Sequence, residues 1–206
     1  SDLFGLLGLG RRWRCSAVLD TGFHAAGIVA SLLSEASTGV ASVAAVAAAT
    51  FPLACPPSVT PDNIAAFIAE NLSEDRLAEY LTDPDRIVLV AREDSITGYA
   101  MLIHGVPDDA DVQRAVIQRP ALELSKIYVL PDRHGGGAAQ ALMAETLRIA
   151  AASGAGCVWL GVNQLNRRAQ RFYTKNGFTV SGTKTFRLGT RVENDYVMVR
   201  PVGPTV

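Results

Sequence analysis

The 206-residue chain has few of the residues that build metal centres and disulfide frameworks. Its three cysteines, Cys15, Cys55 and Cys157, are odd in number and far apart. That spacing excludes a stapled secreted scaffold and leaves reduced thiols in a cytoplasmic protein as the expectation. Cys157 sits inside an apolar strand pattern, so it reads as core and a cysteine-acyl intermediate is not expected. The three histidines, His24, His104 and His134, show no ligand spacing, and no metal is expected. No apolar run reaches the roughly 18–20 residues of a membrane span. The apolar opening around Leu3-Phe4-Gly5-Leu6-Leu7 precedes its basic cluster Arg11, Arg12 and Arg14. A secretory signal has the reverse order, so none is expected. A net charge of −1 with 49% hydrophobic residues excludes a disordered or nucleic-acid-coating chain, and neither nucleic acid nor membrane is expected as a partner.

Charge is unevenly distributed. Between residues 60 and 111, twelve acids, from Asp62, Glu70 and Glu74 to Asp108, Asp109 and Asp111, are opposed by only Arg76, Arg86 and Arg92. From residue 112 onward thirteen bases face five acids, Glu123, Asp132, Glu145, Glu193 and Asp195. A polyanionic ligand on one half and a cationic one on the other would match this division. Segregated solvated helix faces would match it equally well.

Periodicity gives a mixed α/β fold. Residues 1–27 have no clear period and read as an N-terminal extension, with one domain over 28–206. A strand is expected over Ile28–Glu35 and an Ala-rich helix over Val40–Thr50. Pro52, Pro56 and Pro57 make 51–57 a loop. Asp62 is expected to cap a short helix to about Leu72, and Ser73 another. Strands follow over Arg86–Arg92 and Gly98–Gly105, then an acidic loop over 107–120. A strand over Ala121–Leu130 precedes a helix over 138–153. A strand over Cys157–Val162, a helix over Asn166–Asn176 and two last strands, about Phe178–Leu188 and Asn194–Arg200, complete the order.

The run Ile127-Tyr128-Val129-Leu130-Pro131-Asp132-Arg133-His134-Gly135-Gly136-Gly137-Ala138-Ala139-Gln140 carries the chemistry. A strand stops at proline, and a loop nearly bare of side chains opens directly into a helix. The first amides of a helix lack internal partners and sit at the positive end of its dipole. Glycines let an anion approach those amides closely, which makes an anion cradle. A tight turn before an amphipathic helix is the plainer alternative. A nucleotide P-loop would end in Gly-Lys-Ser/Thr, whereas this loop ends Gly-Ala-Ala-Gln. A dinucleotide fold would place an acid roughly 20 residues on, but the next strand ends Gly161-Val162-Asn163-Gln164.

Residues 134–139 resemble the pyrophosphate loop of the GCN5-related N-acetyltransferase (GNAT) family, Gln/Arg-x-x-Gly-x-Gly/Ala, with His134 where the family has Arg or Gln. Arg133 next door is a second candidate for a charge there. About 30 residues on, Asn166-Arg167-Arg168-Ala169-Gln170-Arg171-Phe172-Tyr173-Thr174-Lys175-Asn176-Gly177-Phe178 is similar to the family's Asn-x-x-Ala-x-x-Phe-Tyr-x-Lys-x-Gly-Phe segment. Taken alone, Phe172 and Tyr173 at helical spacing from Ala169 would read as core. The wording Leu160-Gly161-Val162-Asn163 and Asn194-Asp195-Tyr196-Val197-Met198 is similar to a bacterial subgroup that includes the PaiA-type polyamine acetyltransferases.

The resemblance implies a mixed, mostly antiparallel sheet, flanked by helices, with a V-shaped splay between strands 4 and 5. It implies acetyl-CoA as co-substrate, with its pantetheine arm along Ile127, Tyr128 and Val129. The pyrophosphate would lie on His134, Gly135, Gly136, Gly137, Ala138 and Ala139, and Asn166, Phe172, Tyr173 and Lys175 would complete the site. Tyr173 matches the family's acid for the leaving thiolate, and a backbone N–H near Val129 would serve the oxyanion. Glu123, an even number of residues from Ile127 and Val129, is expected on their face as the base; a plain surface carboxylate is the alternative. The acceptor would be a small amine, polyamine-like in the acidic reading. A protein N-terminal or lysine acetyltransferase and a non-catalytic acetyl-CoA-binding module stand as alternatives. Fold analogy also allows a homodimer through the C-terminal strands.

Overall fold

The computed structural model describes residues 27–29, 36–188 and 191–203. The extension expected over 1–27 lies outside them except for Gly27, as do residues 30–35 of the expected first strand. Among the described residues, seven strands form one sheet in the order β1-β2-β3-β4-β5-β7-β6. They are β1 (Gly27–Val29), β2 (Arg86–Arg92), β3 (Ile96–His104), β4 (Ala121–Val129), β5 (Cys157–Asn163), β6 (Thr179–Leu188) and β7 (Arg191–Pro201). Every neighbouring pair is antiparallel except β4 with β5. That parallel pair is joined in register only at Ala121↔Cys157, Leu122↔Val158 and Glu123↔Trp159. Beyond Glu123 the two strands part, which is the expected splay.

Helices cover both faces of the sheet. On one face α5 (Ala138–Ala152) inserts Leu142, Met143 and Ala150 among Leu122, Leu124, Val158 and Leu160, and α6 (Arg167–Lys175) lays Ala169, Phe172 and Tyr173 beside them. On the other face α1 (Ala36–Ala54), α2 (Pro61–Asn71) and α3 (Glu74–Thr82) cover Val88, Val90, Tyr99 and Met101. A short helix, α4 (Ala110–Ala115), caps Cys157, Trp159 and Val197 at the far end of that face.

Three local expectations change. First, α1 runs through Pro52 to Ala54 instead of stopping before it. Proline forfeits its own N–H donation and crowds the carbonyl four residues back, but it lies in the last turn, which is held by buried Phe51, whose ring stacks on Phe67 at 4.4 Å and 7°. Second, the cap of α2 is Thr60, whose hydroxyl accepts from Asn63 N–H, while Asp62 sits in the first turn. Third, the acidic loop contains α4, nucleated by Asp109, whose carboxylate accepts from the N–H groups of Asp111 and Val112. The other strands and helices fall within a few residues of their expected bounds.

Candidate active site

The register of β4 determines which side chains meet. Leu124 pairs with Leu102 and Lys126 with Met101, so Ser125 is an extra residue opposite the β3 ladder. An extra residue reverses the in–out alternation downstream. Before it, Leu122 and Leu124 face α5; after it, Ile127 and Val129 do so. Tyr128 and Leu130 face the helices on the opposite side. Glu123 therefore shares its face with Lys126 and Tyr128, not with Ile127 and Val129. The even-number spacing expected to unite them holds only for an unbulged strand.

Backbone directions follow from the same ladder. Leu130 N–H donates to Thr97 O at 2.8 Å, so alternation turns the N–H and C=O of Ile127 and Val129 away from β3 and toward the splay. Gly98 is required for this approach: a Cβ there would lie 2.7 Å from Tyr128 O and 2.9 Å from Val129 Cγ2.

The splay opens a cavity of about 410 Å³ that passes through the sheet. In an intact sheet the hydrogen-bond ladder would separate the two faces. Here Ile127, Val129, Ala139, Ala169, Phe172 and Tyr173 from one face and Glu123, Lys126, Tyr128, Lys184, Glu193 and Asp195 from the other line one space. The end of α1, Cys55 just after it, and Phe67 and Phe186 close the wall.

Asn166 caps α6, its side-chain oxygen accepting from Ala169 N–H at 3.0 Å, and the same residue lines the cavity. Gln170 Nε2 donates to Asn163 O and Gln164 O at 3.1 and 2.9 Å, tying α6 to the end of β5. Gln140 Nε2 donates to Asn176 Oδ1 at 2.8 Å, tying α5 to the end of α6. These ties hold Tyr173 edge-on to Phe172 and Phe178. Burial drives the Tyr173 phenol well above its ordinary range, with Tyr128 adding to the effect, so it stays protonated as a donor.

The glycine loop ends at Gly137, which caps α5 with φ +87° and no side-chain hydrogen bond. Gly135 has the same φ, and a Cβ at either position would meet nothing within 4 Å. Both glycines thus serve backbone conformation, and the first amides of α5 are left without a side-chain cap. His134 has a partner within the chain. Its Nε2 lies 2.9 Å from Val129 O, and since a carbonyl only accepts, Nε2 carries the proton. One ring nitrogen is thus engaged with the strand, and the ring still lines the cavity. Arg133 is engaged with Glu93 at 2.8 Å. Gly135, Gly136, Gly137, Ala138 and Lys175 lie outside the cavity wall, with Lys175 exposed at the far end of α6.

The second face is charged. Glu193 and Asp195 are both 8% exposed. Desolvation raises the carboxyls of Glu123 and Asp195, and Lys184 is the largest influence opposing it in each. Lys126 is lowered to about 8, chiefly by burial, with Arg86 acting in the same direction and Glu123 against it. Burial, helped by Glu193, raises Cys55 to about 11, leaving it a protonated thiol at neutral pH. Sequence reasoning missed Lys126, Lys184, Glu193 and Asp195. For the last two a signal existed: Glu193, Asp195, Val197 and Val199 alternate along one strand face, putting carboxylates in line with core residues.

The acetyltransferase (GNAT) family model matches residues 53–178. An uncharacterized N-acetyltransferase of Mycobacterium tuberculosis is 60% identical over 164 residues, covering 79% of this chain and 97% of that relative. The structure is similar to PaiA N-acetyltransferase from Thermoplasma acidophilum in complex with coenzyme A. That match has a TM-score of 0.62 and 21% identity, over 80% of this chain and 93% of the other. A GCN5-related N-acetyltransferase from Rhodopseudomonas palustris matches with a TM-score of 0.60 and 18% identity, over 80% and 90%. At these identities the structural likeness is one of fold.

Proposed function

This chain belongs to the acetyltransferase (GNAT) family, and we propose that it moves the acetyl group of acetyl-CoA onto the primary amine of a small, cationic, polyamine-like acceptor within a ternary complex. The observation that carries this reading is the cavity through the splay. One side offers strand backbone and the neutral donor Tyr173; the other offers carboxylates. A thioester entering from the first side would meet an amine entering from the second without either crossing a ladder.

Each residue has a task in this reading. The backbone groups of Ile127 and the N–H of Val129, which face the gap, take the amides of the pantetheine arm, and Asn166 and Phe172 bound it. The pyrophosphate lies on the uncapped first turn of α5, reached over Gly135–Gly137. An alkyl ammonium, with a pKa of about 10.4, is no nucleophile until it loses a proton. Glu123, raised toward neutrality by burial, accepts that proton directly or through water. A strand N–H near Val129 steadies the oxyanion, and Tyr173 donates to the departing sulfur. Glu193 and Asp195 hold a second positive charge of the acceptor, which favours a polyamine over a monoamine. The setting is cytoplasmic. Two copies can pair through β6, which lies at the edge of the sheet.

Calorimetric titration tests the reading. Acetyl-CoA is expected to bind with a micromolar Kd, and a CoA analogue lacking the 3′-phosphate and pyrophosphate to bind far more weakly. Spermidine is then expected to saturate turnover. Absence of acetyl-CoA binding would remove the enzymatic reading. Turnover that ignores spermidine but modifies peptide amines would move the acceptor to proteins.

A further inference from the structure

The bulge at Ser125 has a second consequence, on the acceptor side of the splay. By shifting the phase of β4 it turns Lys126 into the same cavity as Glu123 and Tyr173. The groups facing Lys126 come from three elements. From α3, the Tyr80 ring centroid lies 5.9 Å from Nζ. From β2, Arg86 lies over the same ring at 4.4 Å and is held by Asp83 at 2.8 Å. From β4 itself, Glu123 exerts an attraction without forming an ion pair. Among the described residues Lys126 takes part in no salt bridge. The other cavity lysine, Lys184, stands opposite its cross-strand partner Asp195.

We propose that Lys126 is itself an acetyl acceptor, so that in the absence of an external amine the enzyme acetylates its own cavity wall once. The inference rests on the acetyl-CoA reading above. The Nζ lone pair attacks the thioester carbonyl, the C–N bond forms, and the C–S bond breaks. The proton lost by nitrogen passes to Glu123, and the CoA thiolate leaves to be protonated. The products are Nε-acetyllysine and CoA thiol, with no other reactant. Burial lowers Lys126 toward neutrality, so a sizeable fraction carries the free amine at pH 8, unlike an exposed lysine. Once acetyl-CoA fills the cavity, a lysine of its wall reacts without a bimolecular encounter with a second substrate. The modified side chain would occupy the acceptor space, making the event self-limiting.

The test is peptide mapping by mass spectrometry after the whole protein is incubated with acetyl-CoA and no amine. Lys126 is expected to gain one acetyl group at least about tenfold faster than exposed Lys175. In the urea-unfolded chain the two rates should converge. Lys126→Arg should remove the fast phase, and the wild-type map stands without it if that variant fails to fold. Equal rates at Lys126 and Lys175 in a protein that calorimetry shows to bind acetyl-CoA would overturn the proposal and leave the enzymatic reading standing. Failure to bind acetyl-CoA would remove both.

Discussion

Lys184 lies across Gly161. A Cβ built on the glycine would stand 2.6 Å from Lys184 Cε, 3.2 Å from Nζ and 3.4 Å from Asp195 Oδ2. The missing side chain leaves room for the lysine to cross β5 toward Glu123, 5.9 Å above the Trp159 ring. Gly161→Ala is expected to push the flexible end of Lys184 aside at a stability cost within about 1 kcal/mol. Acceptor KM should change several-fold, while acetyl-CoA affinity stays within a few-fold. Thermal melts and steady-state kinetics check this, and an unchanged KM would separate Lys184 from acceptor binding.

Tyr173→Phe removes a single hydroxyl from the cavity and leaves its ring packing against Phe172 and Phe178. Turnover is expected to fall by roughly 10²–10⁴-fold, with acetyl-CoA affinity by calorimetry within a few-fold. Unchanged turnover would take Tyr173 out of the mechanism.

Burial holds the Glu123 carboxyl above the usual carboxylate range. A base works in its ionised form, so kcat/KM should be present above the raised pKa and decline as pH falls through it. Glu123→Gln should lower the plateau and abolish that acid limb. If the limb persists in the variant, it belongs to another group.

Tyr99 is fully buried, and its hydroxyl has no hydrogen-bond partner among the described residues. A buried hydroxyl without a partner costs about 1–3 kcal/mol. Tyr99→Phe should therefore leave stability unchanged or raise it by about 1 kcal/mol, measured by urea unfolding. A clear loss would mean that the hydroxyl has a partner in solution.

Gly137 adopts φ +87° in open space. Gly137→Ala should then lower stability by about 1–2 kcal/mol through backbone strain alone. Because the strained residue caps α5, acetyl-CoA binding should weaken with it. A stable variant that binds normally would show that the loop can relax without loss of the cradle.

Much of this molecule is legible along the chain because it is local. The glycine loop, the start of α5, and Asn166 through Gly177 are contiguous runs whose residue types imply their conformation directly. That a helix opens at Asn166 and carries Tyr173 follows from them. His134 was legible as part of the loop, but the partner its ring takes, Val129 O, depends on how the chain folds back.

What needed the tertiary structure is of a different kind. One extra residue at Ser125 decides whether Glu123 faces Ile127 or Lys126, and a bulge is set by pairing with β3, which periodicity within β4 does not record. Likewise Glu193 and Asp195 come to Glu123 from a strand some 70 residues away, once β7 inserts between β5 and β6. The sequence alone determined the glycine loop, the helix that carries Tyr173 and the family, because each is carried by short contiguous segments governed by backbone chemistry. Only the tertiary structure decided which charges share the cavity, because strand register and sheet order are collective properties of residues far apart in the chain.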